Sequence, residues 1–303
     1  MKSAVIWGLA NEHHTHRYIH QGFYETFKAM GWDAKWVDDK AENNECIKPG
    51  DLVISVDVAS SHLKNKPKAK YVLHNVERPE LRNHENVTIL QVFTFDAFGE
   101  SLFGSRCLWD QKSRTIYQPW GIPSQPESWL EPRKTVGSKE FWVGSIWNND
   151  QNQGNSQIIS EYKTALESHG LRLKHTGGVG HPIPKFLGGA GLFRKTVLSE
   201  LEARNLVAKS PIGAAVVGNW QRENGYVPCR LFKNLAAGQV PSSNADFSDL
   251  FGDLAIVAGD FSQLIETRSS LTDFEVRSRV RDSQEIMENY TYQKSIERIL
   301  SII

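Results

Sequence analysis

The chain has 303 residues, and its 35 Lys and Arg balance 35 Asp and Glu, so its formal net charge is zero with histidine neutral. A hydrophobic share of 40% and an aromatic share of 10% exclude a disordered or low-complexity chain. The balanced charge gives no overall attraction to nucleic acid. Cys46, Cys107 and Cys229 are odd in number and widely spaced, which fits neither a disulfide framework nor a four-ligand zinc site.

The hydropathy pattern excludes a membrane-spanning protein. No apolar run approaches the ~18–20 residues that a membrane helix needs. The N-terminal residues also lack the basic region and the long apolar stretch of a signal peptide. We therefore expect no membrane span and a cytoplasmic location.

The first half of the chain alternates strand and helix patterns. Residues 3–10 form a short apolar run, and residues 16–30 carry apolar side chains at helical spacing before Gly31. Further short runs rich in β-branched and aromatic residues lie at 33–39, 51–57, 70–76 and 86–93. Nearly continuous apolar strands are typical of a parallel sheet covered on both faces. The pattern predicts a Rossmann-like domain.

A second alternating unit follows a polar stretch that contains Pro126 and Pro132. Such a stretch is typical of an interdomain linker, and we place the boundary near residues 120–138. Strands are predicted at 140–147, 171–178 and 213–219, helices at 156–170, 199–210, 227–238 and 272–303, and a Gly- and Pro-rich loop at 178–193. The predicted domains are residues 1–125, residues 126–280, and a C-terminal helix at 281–303 able to pack back on the first domain.

Residues 213–247 form the most specific segment of the sequence. A buried strand leads into a polar loop, and a helix opens near Val227 and Pro228. The first turn of a helix presents unpaired N–H groups and the positive end of the dipole, so it suits an anion such as a diphosphate. Arg230 and Lys233 add positive charge on this helix, although the alternative is that both simply solvate one helix face.

This segment resembles the donor-binding segment of nucleotide-sugar glycosyltransferases of the GT-B architecture. The pattern of the inverting α-1,3-fucosyltransferases is matched at Tyr226, Val227, Leu231, Phe232, Gly238, Val240 and Pro241. Arg230 stands where that family has its phosphate-binding Lys, and Cys229 replaces a Glu. The signature of the retaining family is absent, because Gly225 and Lys233 occupy the positions of its two acidic residues.

The resemblance extends to residues 140–178, which have the strand, the small residues Gly144 and Ser145, the Asn-rich loop, the helix and the Gly-Gly exit of a GT-B C-terminal domain. Both stretches and the closing helix are also similar to spore-maturation-type bacterial glycosyltransferases. The resemblance implies an α/β fold of two Rossmann-like domains facing a cleft. It implies donor binding by Gly144, Ser145, Asn219, Glu223, Tyr226, Arg230, Lys233 and Asn234.

Histidines follow the first predicted strand and supply candidates for a catalytic base. A loop after the first strand lies at the carboxyl edge of the sheet, which in GT-B enzymes reaches the acceptor. An imidazole with a pKa near neutrality suits removal of a proton from a hydroxyl, and the candidates here are His13, His14 and His16. A zinc site is a second possibility, because His16 and His20 are one helical turn apart. No Cys or HExxH partner accompanies them, so we expect no metal.

His74 and Glu77 form a second candidate pair after the strand at 70–76. His74 resembles a histidine that retaining GT-B enzymes aim at the donor sugar. Glu77 has the chemistry of the carboxylate base of an inverting enzyme. The alternative is that His74 is a hydrogen-bonded loop residue and that Glu77 is an exposed charge beside Arg78.

The sequence predicts a metal-independent glycosyltransferase that needs no cofactor and uses a nucleoside diphosphate sugar as donor. No D-x-D triplet occurs, so the diphosphate charge is expected to be met by helix N-termini and Arg or Lys. The expected acceptor is a hydroxyl of a glycan or another surface saccharide, and nucleic acid is not an expected partner. The alternatives are a sugar-nucleotide 2-epimerase, a non-catalytic sugar-nucleotide-binding protein, and a phage-type glycosyltransferase that acts on modified DNA bases.

Overall fold

The chain divides into two compact units in a computed structural model. The first comprises Met1–Ser124 and Glu288–Ile303, and the second comprises Gln125–Met287. The structure describes residues 2–11, 15–74, 83–92, 106–123, 129–133, 137–148, 154–176, 179–180 and 198–303. Over these ranges, every helix is too short or too polar to cross a membrane.

The first unit is built on a seven-stranded sheet. Its strands are β1 (Ser3–Trp7), β2 (Asp33–Val37), β3 (Leu52–Val56), β4 (Lys70–His74), β5 (Val87–Gln91), β6 (Leu108–Asp110) and β7 (Thr115–Tyr117). They lie in the order β2-β1-β3-β4-β5-β7-β6, and all pairs are parallel except β6 with β7. The five predicted strands of this half are thus confirmed, while the three-residue strands β6 and β7 were too short to be predicted.

Helix α1 (Thr15–Ala29) packs against β1, β2 and β3 and buries Phe23 and Phe27, and Gly31 follows it with a φ of 77°. The predicted helix at 16–30 is confirmed. Short 3-10 turns occupy Ala41–Cys46 and Asp57–Ala59. Because β1 and β4 are parallel strands separated by β3, their carboxyl ends lie at the same edge of the sheet.

The second unit contains short parallel strand pairs and helices. Its elements are β8 (Lys139–Val143), β9 (Ile146–Trp147), α2 (Ser156–Ser168), β10 (Arg172–Thr176), β11 (Val179–Gly180), α3 (Glu200–Val207), α4 (Asn219–Glu223), α5 (Cys229–Ala236), β12 (Ser242–Ser243), α6 (Ser248–Phe251), β13 (Ile256–Val257), α7 (Phe261–Ser270) and α8 (Asp273–Met287). The pairs are β8 with β10, β9 with β11, and β12 with β13. The main apolar core is formed by residues that include Trp142, Ile159, Tyr162, Leu166, Val216, Val240, Leu264 and Val280.

Two predictions for the second unit need correction. The strand predicted at 140–147 is divided into β8 and β9, because Gly144 adopts a φ of 141°. Of the strand predicted at 213–219, residues 213–218 are buried but form no regular ladder, and Asn219 is exposed at the start of α4. The side chain of Asn244 takes the ladder's place, since it accepts from the Val217 N–H at 2.7 Å and donates to the Val217 carbonyl at 2.9 Å. The polar loop that follows contains the short helix α4.

The C-terminal tail is not the continuous helix that the amphipathic pattern predicted. A 3-10 turn at Glu288–Tyr290 separates α8 from the last helix, α9 (Tyr292–Ile302). The hydroxyl of Thr291 accepts from the Lys294 N–H and caps α9, and the Tyr292 N–H donates to the Ile122 carbonyl at 2.9 Å. Helix α9 therefore belongs to the first unit, where the Tyr292 ring packs 5.3 Å from the ring of Phe23.

Candidate active site

A group of histidines lies at the carboxyl edge of the first unit's sheet. His74 is the last residue of β4, and His16 and His20 lie one turn apart on α1. The Nε2 atoms of His20 and His74 are 3.0 Å apart, and the ring centroids of His16 and His74 are 5.3 Å apart. Trp120 closes the group, with its ring 5.1 Å from that of His74. The fold thus brings three imidazoles together from two distant parts of the sequence.

Gly8, directly after β1, holds one end of this group. Its carbonyl accepts a hydrogen bond from His20 Nδ1 at 3.0 Å and another from Trp36 Nε1 at 2.9 Å. Gly8 has a φ of 90°, and a Cβ at this position would lie 2.4 Å from Cβ of Ala59. Only glycine therefore allows the turn that directs this carbonyl at His20.

Two of the three histidines are fully buried, and His16 is partly exposed. His20 and His74 are 0% exposed. Burial lowers the pKa of His74 well below its ordinary value, and the nearby His20 and His16 lower it further. His74 is therefore neutral at pH 7, because desolvation disfavours the charged imidazolium.

Only two of the five residues predicted as catalytic lie in the described part of the chain. His16 and His74, predicted from separate segments, lie in one group, whereas His13, His14 and Glu77 fall outside the described residues. The sequence considered His20 only as a metal ligand and missed its hydrogen bond to His74, which joins residues 54 positions apart. In the described part of the chain, no group of three or more His, Cys, Asp or Glu side chains is suited to hold a metal ion.

Arg230 is the centre of a second group, in the second unit. It lies in the first turn of α5, and its guanidinium carbon is 3.4 Å from the centroid of the Trp142 ring. Gly144, directly after β8, leaves room for this guanidinium, because a Cβ there would lie 2.6 Å from Arg230 Nη2. Burial lowers the pKa of Arg230 to about 10, so the side chain stays charged at neutral pH. Two predicted donor-binding residues, Gly144 and Arg230, are therefore in direct contact.

Glu140 lies beneath this group on β8. It is buried and accepts hydrogen bonds from the N–H groups of Ile212 at 3.1 Å and Gly213 at 3.0 Å. Burial raises its pKa to about 7, while these hydrogen bonds and the charges of Arg268 and Arg230 oppose the rise. Glu140 and Trp142 were not predicted as site residues. The sequence did contain a pattern that could have identified them. They are two residues apart, which places a carboxyl and an aromatic ring on the same face of one strand.

The other predicted donor-binding residues are distributed around α4 and α5. Asn234 is buried and donates its side-chain N–H to the Gly213 carbonyl, so it connects α5 to the segment that also binds Glu140. Asn219 begins α4 and accepts from Arg222 at 3.4 Å, while Glu223, which ends α4, is exposed.

Three predicted donor-binding residues remain. Tyr226 and Lys233 are partly exposed. The carbonyl of Ser145 accepts from the side chain of Asn155 at 3.2 Å. These positions do not test the predicted donor contacts, which stay predictions.

Comparison with known proteins identifies the fold. No family model and no curated protein matches the chain. Among solved structures, an alpha-glucosyltransferase (AGT) in complex with UDP matches 100% of this chain and 99% of its own, with a TM-score of 0.64 and 12% identity. The same enzyme with UDP and a 13-mer DNA containing an A:G mismatch gives 0.61 at 11% identity over 100% and 99% of the two chains.

A trehalose-6-phosphate synthase, OtsA, also matches 99% of this chain and 98% of its own, with a TM-score of 0.58 and 10% identity. The predicted resemblance to GT-B glycosyltransferases is therefore confirmed at the level of the fold. The chain has the α/β architecture of two Rossmann-like domains that these enzymes share.

Proposed function

We propose that the chain is a glycosyltransferase that moves a sugar from a nucleoside diphosphate sugar to a hydroxyl acceptor. The observation that carries the proposal is the arrangement of Arg230 over Trp142 and against Gly144, at the carboxyl end of β8. Ligands of open α/β sheets bind at the carboxyl ends of strands. UDP is the nucleotide to test first, because AGT is described in complex with it.

Arg230 supplies the positive charge and the N–H donors that a departing diphosphate requires. Stacking on Trp142 occupies the face of the guanidinium and leaves its N–H groups in the plane, where phosphate oxygens are bound in bidentate geometry. The first turn of α5 adds the positive end of a helix dipole. Negative charge grows on the diphosphate as the sugar leaves, so a fixed cation here stabilises the transition state more than the bound donor.

The first unit supplies the histidine group for the sugar hydroxyls. A neutral imidazole accepts a hydrogen bond or a proton from a hydroxyl, and the low pKa of His74 keeps it in that form. His16 lies beside it at a ring distance of 5.3 Å. We assign the hydroxyl-binding role to these two residues, with His13, His14 and Glu77 as further candidates from the sequence.

Metal independence is part of the proposal. The diphosphate charge is met by Arg230 together with Lys233, in the last turn of α5, and the helix N-terminus. We expect UDP binding and turnover to be unchanged by a chelator. Loss of both with EDTA and their return with Mg²⁺ would contradict this part. The cytoplasmic location stays a prediction from the sequence.

The acceptor we propose is a saccharide hydroxyl, and a modified DNA base is the second candidate. The similarity to AGT, which extends over nearly the whole of both chains, favours the DNA alternative. AGT is also described with UDP and a 13-mer DNA containing an HMU base. The balanced charge favours the saccharide. Transfer of labelled sugar to duplex DNA containing hydroxymethylated bases, measured beside transfer to oligosaccharides, decides between them.

The decisive experiment is a screen of UDP-sugars for release of UDP, combined with calorimetric titration of UDP. The wild type is expected to bind UDP and to release it slowly from one UDP-sugar by hydrolysis. Arg230→Ala should bind UDP more weakly and release it about 10²-fold to 10³-fold more slowly, while Arg277→Ala, at an exposed position of α8 in the same unit, should match the wild type in both. Binding without release would indicate a non-catalytic binding protein, and conversion of the sugar without release an epimerase. Unchanged binding by Arg230→Ala would refute the proposal.

A further inference from the structure

The two buried histidines of the first unit form a directed chain of hydrogen bonds. Gly8 carbonyl, His20 and His74 are joined by contacts of 3.0 Å each. A carbonyl oxygen only accepts, so His20 Nδ1 must carry the hydrogen of the first bond. A neutral imidazole carries one hydrogen on its two ring nitrogens. In neutral His20 the Nε2 atom therefore carries a lone pair.

The lone pair of His20 decides which hydrogen His74 carries. His74 Nε2 lies 3.0 Å from it and must be the donor of the second bond. The opposite tautomer of His74 would bring two lone pairs together between fully buried rings, and each would lose its partner. His74 therefore has its hydrogen on Nε2 and a lone pair on Nδ1.

The Nδ1 atom of His74 is buried and has no hydrogen-bond partner among the described residues. A buried imidazole nitrogen with no protein partner is ready to accept from a ligand. We propose that His20 is a positioning residue that fixes His74 in the tautomer whose Nδ1 accepts a hydrogen bond from a sugar hydroxyl. This inference rests on the proposed function, because it takes the ligand of His74 to be a sugar substrate.

The groups around His74 maintain this state over the physiological pH range. Among the described residues, the titratable side chains that act on it are His20 and His16, both on α1, and Trp120 covers the ring without charge. Burial and both histidines disfavour a positive charge on His74, and its pKa is lowered accordingly. The lone pair on Nδ1 is thus present at neutral pH.

The tautomer can be read directly by ¹⁵N NMR of histidine-labelled protein without substrate. His74→Gln identifies the His74 signals by their disappearance. In the wild type we expect a protonated Nε2 and a bare Nδ1 on His74. His20→Gln keeps an acceptor for the His74 hydrogen and should keep this pattern, whereas His20→Phe removes the acceptor and should give a mixture of tautomers. A wild-type His74 with the hydrogen on Nδ1 overturns the inference.

Kinetics with the active UDP-sugar test the consequence. His20→Phe should lower kcat by roughly 10-fold to 100-fold, the range expected when a buried partner is lost, with the Kd for UDP unchanged. His20→Gln should stay within about threefold of the wild type, as should His84→Gln, an exposed histidine of the same unit. Equal kcat in His20→Phe and wild type overturns the inference. Absence of UDP binding and release in the wild type instead refutes the proposed function, while the NMR result is unaffected.

Discussion

Gly8 and Gly144 occupy matching places in the two units, directly after the first strand of each, and both have a positive φ. Gly8 uses this conformation to direct its carbonyl at His20. Gly144 uses the absence of a side chain to admit the guanidinium of Arg230. A glycine at the same place thus organises a group of imidazole rings in one unit and a cation in the other.

The difference shows how burial acts on each group. In the first unit, burial removes charge, so His74 is neutral and its hydrogen bond with His20 fixes which atom donates. In the second unit, Arg230 keeps its charge because a guanidinium is hard to deprotonate, and the aromatic face of Trp142 and the buried Glu140 compensate it. The first group is suited to hydroxyls, and the second to an anion.

The strongest test of this comparison is removal of the cation. Arg230→Ala should lower kcat by about 10²-fold to 10³-fold, or about 2.7–4 kcal/mol, as expected for loss of one preorganised group that stabilises developing charge. Arg230→Lys should recover only part of it, because lysine lacks the planar fork. Steady-state kinetics measure the effect, and the ¹⁵N signals of His74 should be unchanged. A changed His74 tautomer in Arg230→Ala would show that the two groups are not independent.

The buried carboxyl of Glu140 predicts an unusual pH dependence of stability. Its pKa is raised from 4.5 to about 7 in the folded state, so between these values the folded chain binds more protons than the unfolded chain. The free energy of unfolding should therefore fall as the pH rises from 4.5 to 7, by about 3 kcal/mol from this group.

Urea unfolding at pH 5 and pH 8 measures this contribution. Glu140→Gln cannot ionise and should lose less stability between these pH values than the wild type. Glu285→Gln, at an exposed position of α8, should behave as the wild type. Equal losses in Glu140→Gln and the wild type would show that Glu140 does not titrate in this range.

A smaller effect is expected when the space beside Arg230 is filled. Gly144→Ala places a Cβ 2.6 Å from Arg230 Nη2 and strains a φ of 141°, so the guanidinium must shift. We expect the Kd for UDP to rise roughly tenfold, or about 1.4 kcal/mol, when measured by calorimetry. Gly170→Ala is the control for strain alone, since its φ is also positive but no atom lies within 4 Å of the added Cβ. An equal loss of affinity in both variants would argue against a specific role for Gly144.

The smallest expected effect is that of Thr291→Ala. It tests whether the stability of the first unit can change without a change in UDP binding. Thr291 caps α9, and Thr291→Ala should lower the free energy of unfolding by about 1 kcal/mol. The Kd for UDP should stay the same, because α9 belongs to the other unit. Thermal denaturation and UDP titration measure the two quantities. A weakened affinity for UDP would show coupling between the units.

The sequence predicted the regular elements well where one pattern ran without interruption, as in β1 to β5 and α1. It failed where a single residue interrupts the pattern: Gly144 divides one predicted strand, and Thr291 begins a new helix inside a continuous amphipathic run. The apolar pattern at 213–219 correctly predicted a buried segment. It wrongly predicted a strand, because the side chain of Asn244 takes the place of the backbone ladder, and no local sequence pattern indicates such a contact.

The candidate sites were predictable in part for a similar reason. Arg230 and Gly144 were found because they lie in segments that resemble a known family. The roles of His20 and Glu140 depend on contacts across 54 and 72 positions of sequence, to His74 and Ile212. A single sequence shows which residues lie at the end of each strand. Which strand ends lie side by side depends on the order of the strands in the sheet.

The return of α9 to the first unit has a consequence for dissecting the protein. The second unit is one uninterrupted piece of chain, Gln125–Met287, whereas the first is assembled from two pieces. A deletion from the C-terminus that stops at residue 288 therefore strips the cover from Phe23 of the first unit, although the deleted residues adjoin the second unit in sequence. Limited proteolysis near residue 288 is expected to detach α9, which leaves the second unit whole and the first unit without its last helix.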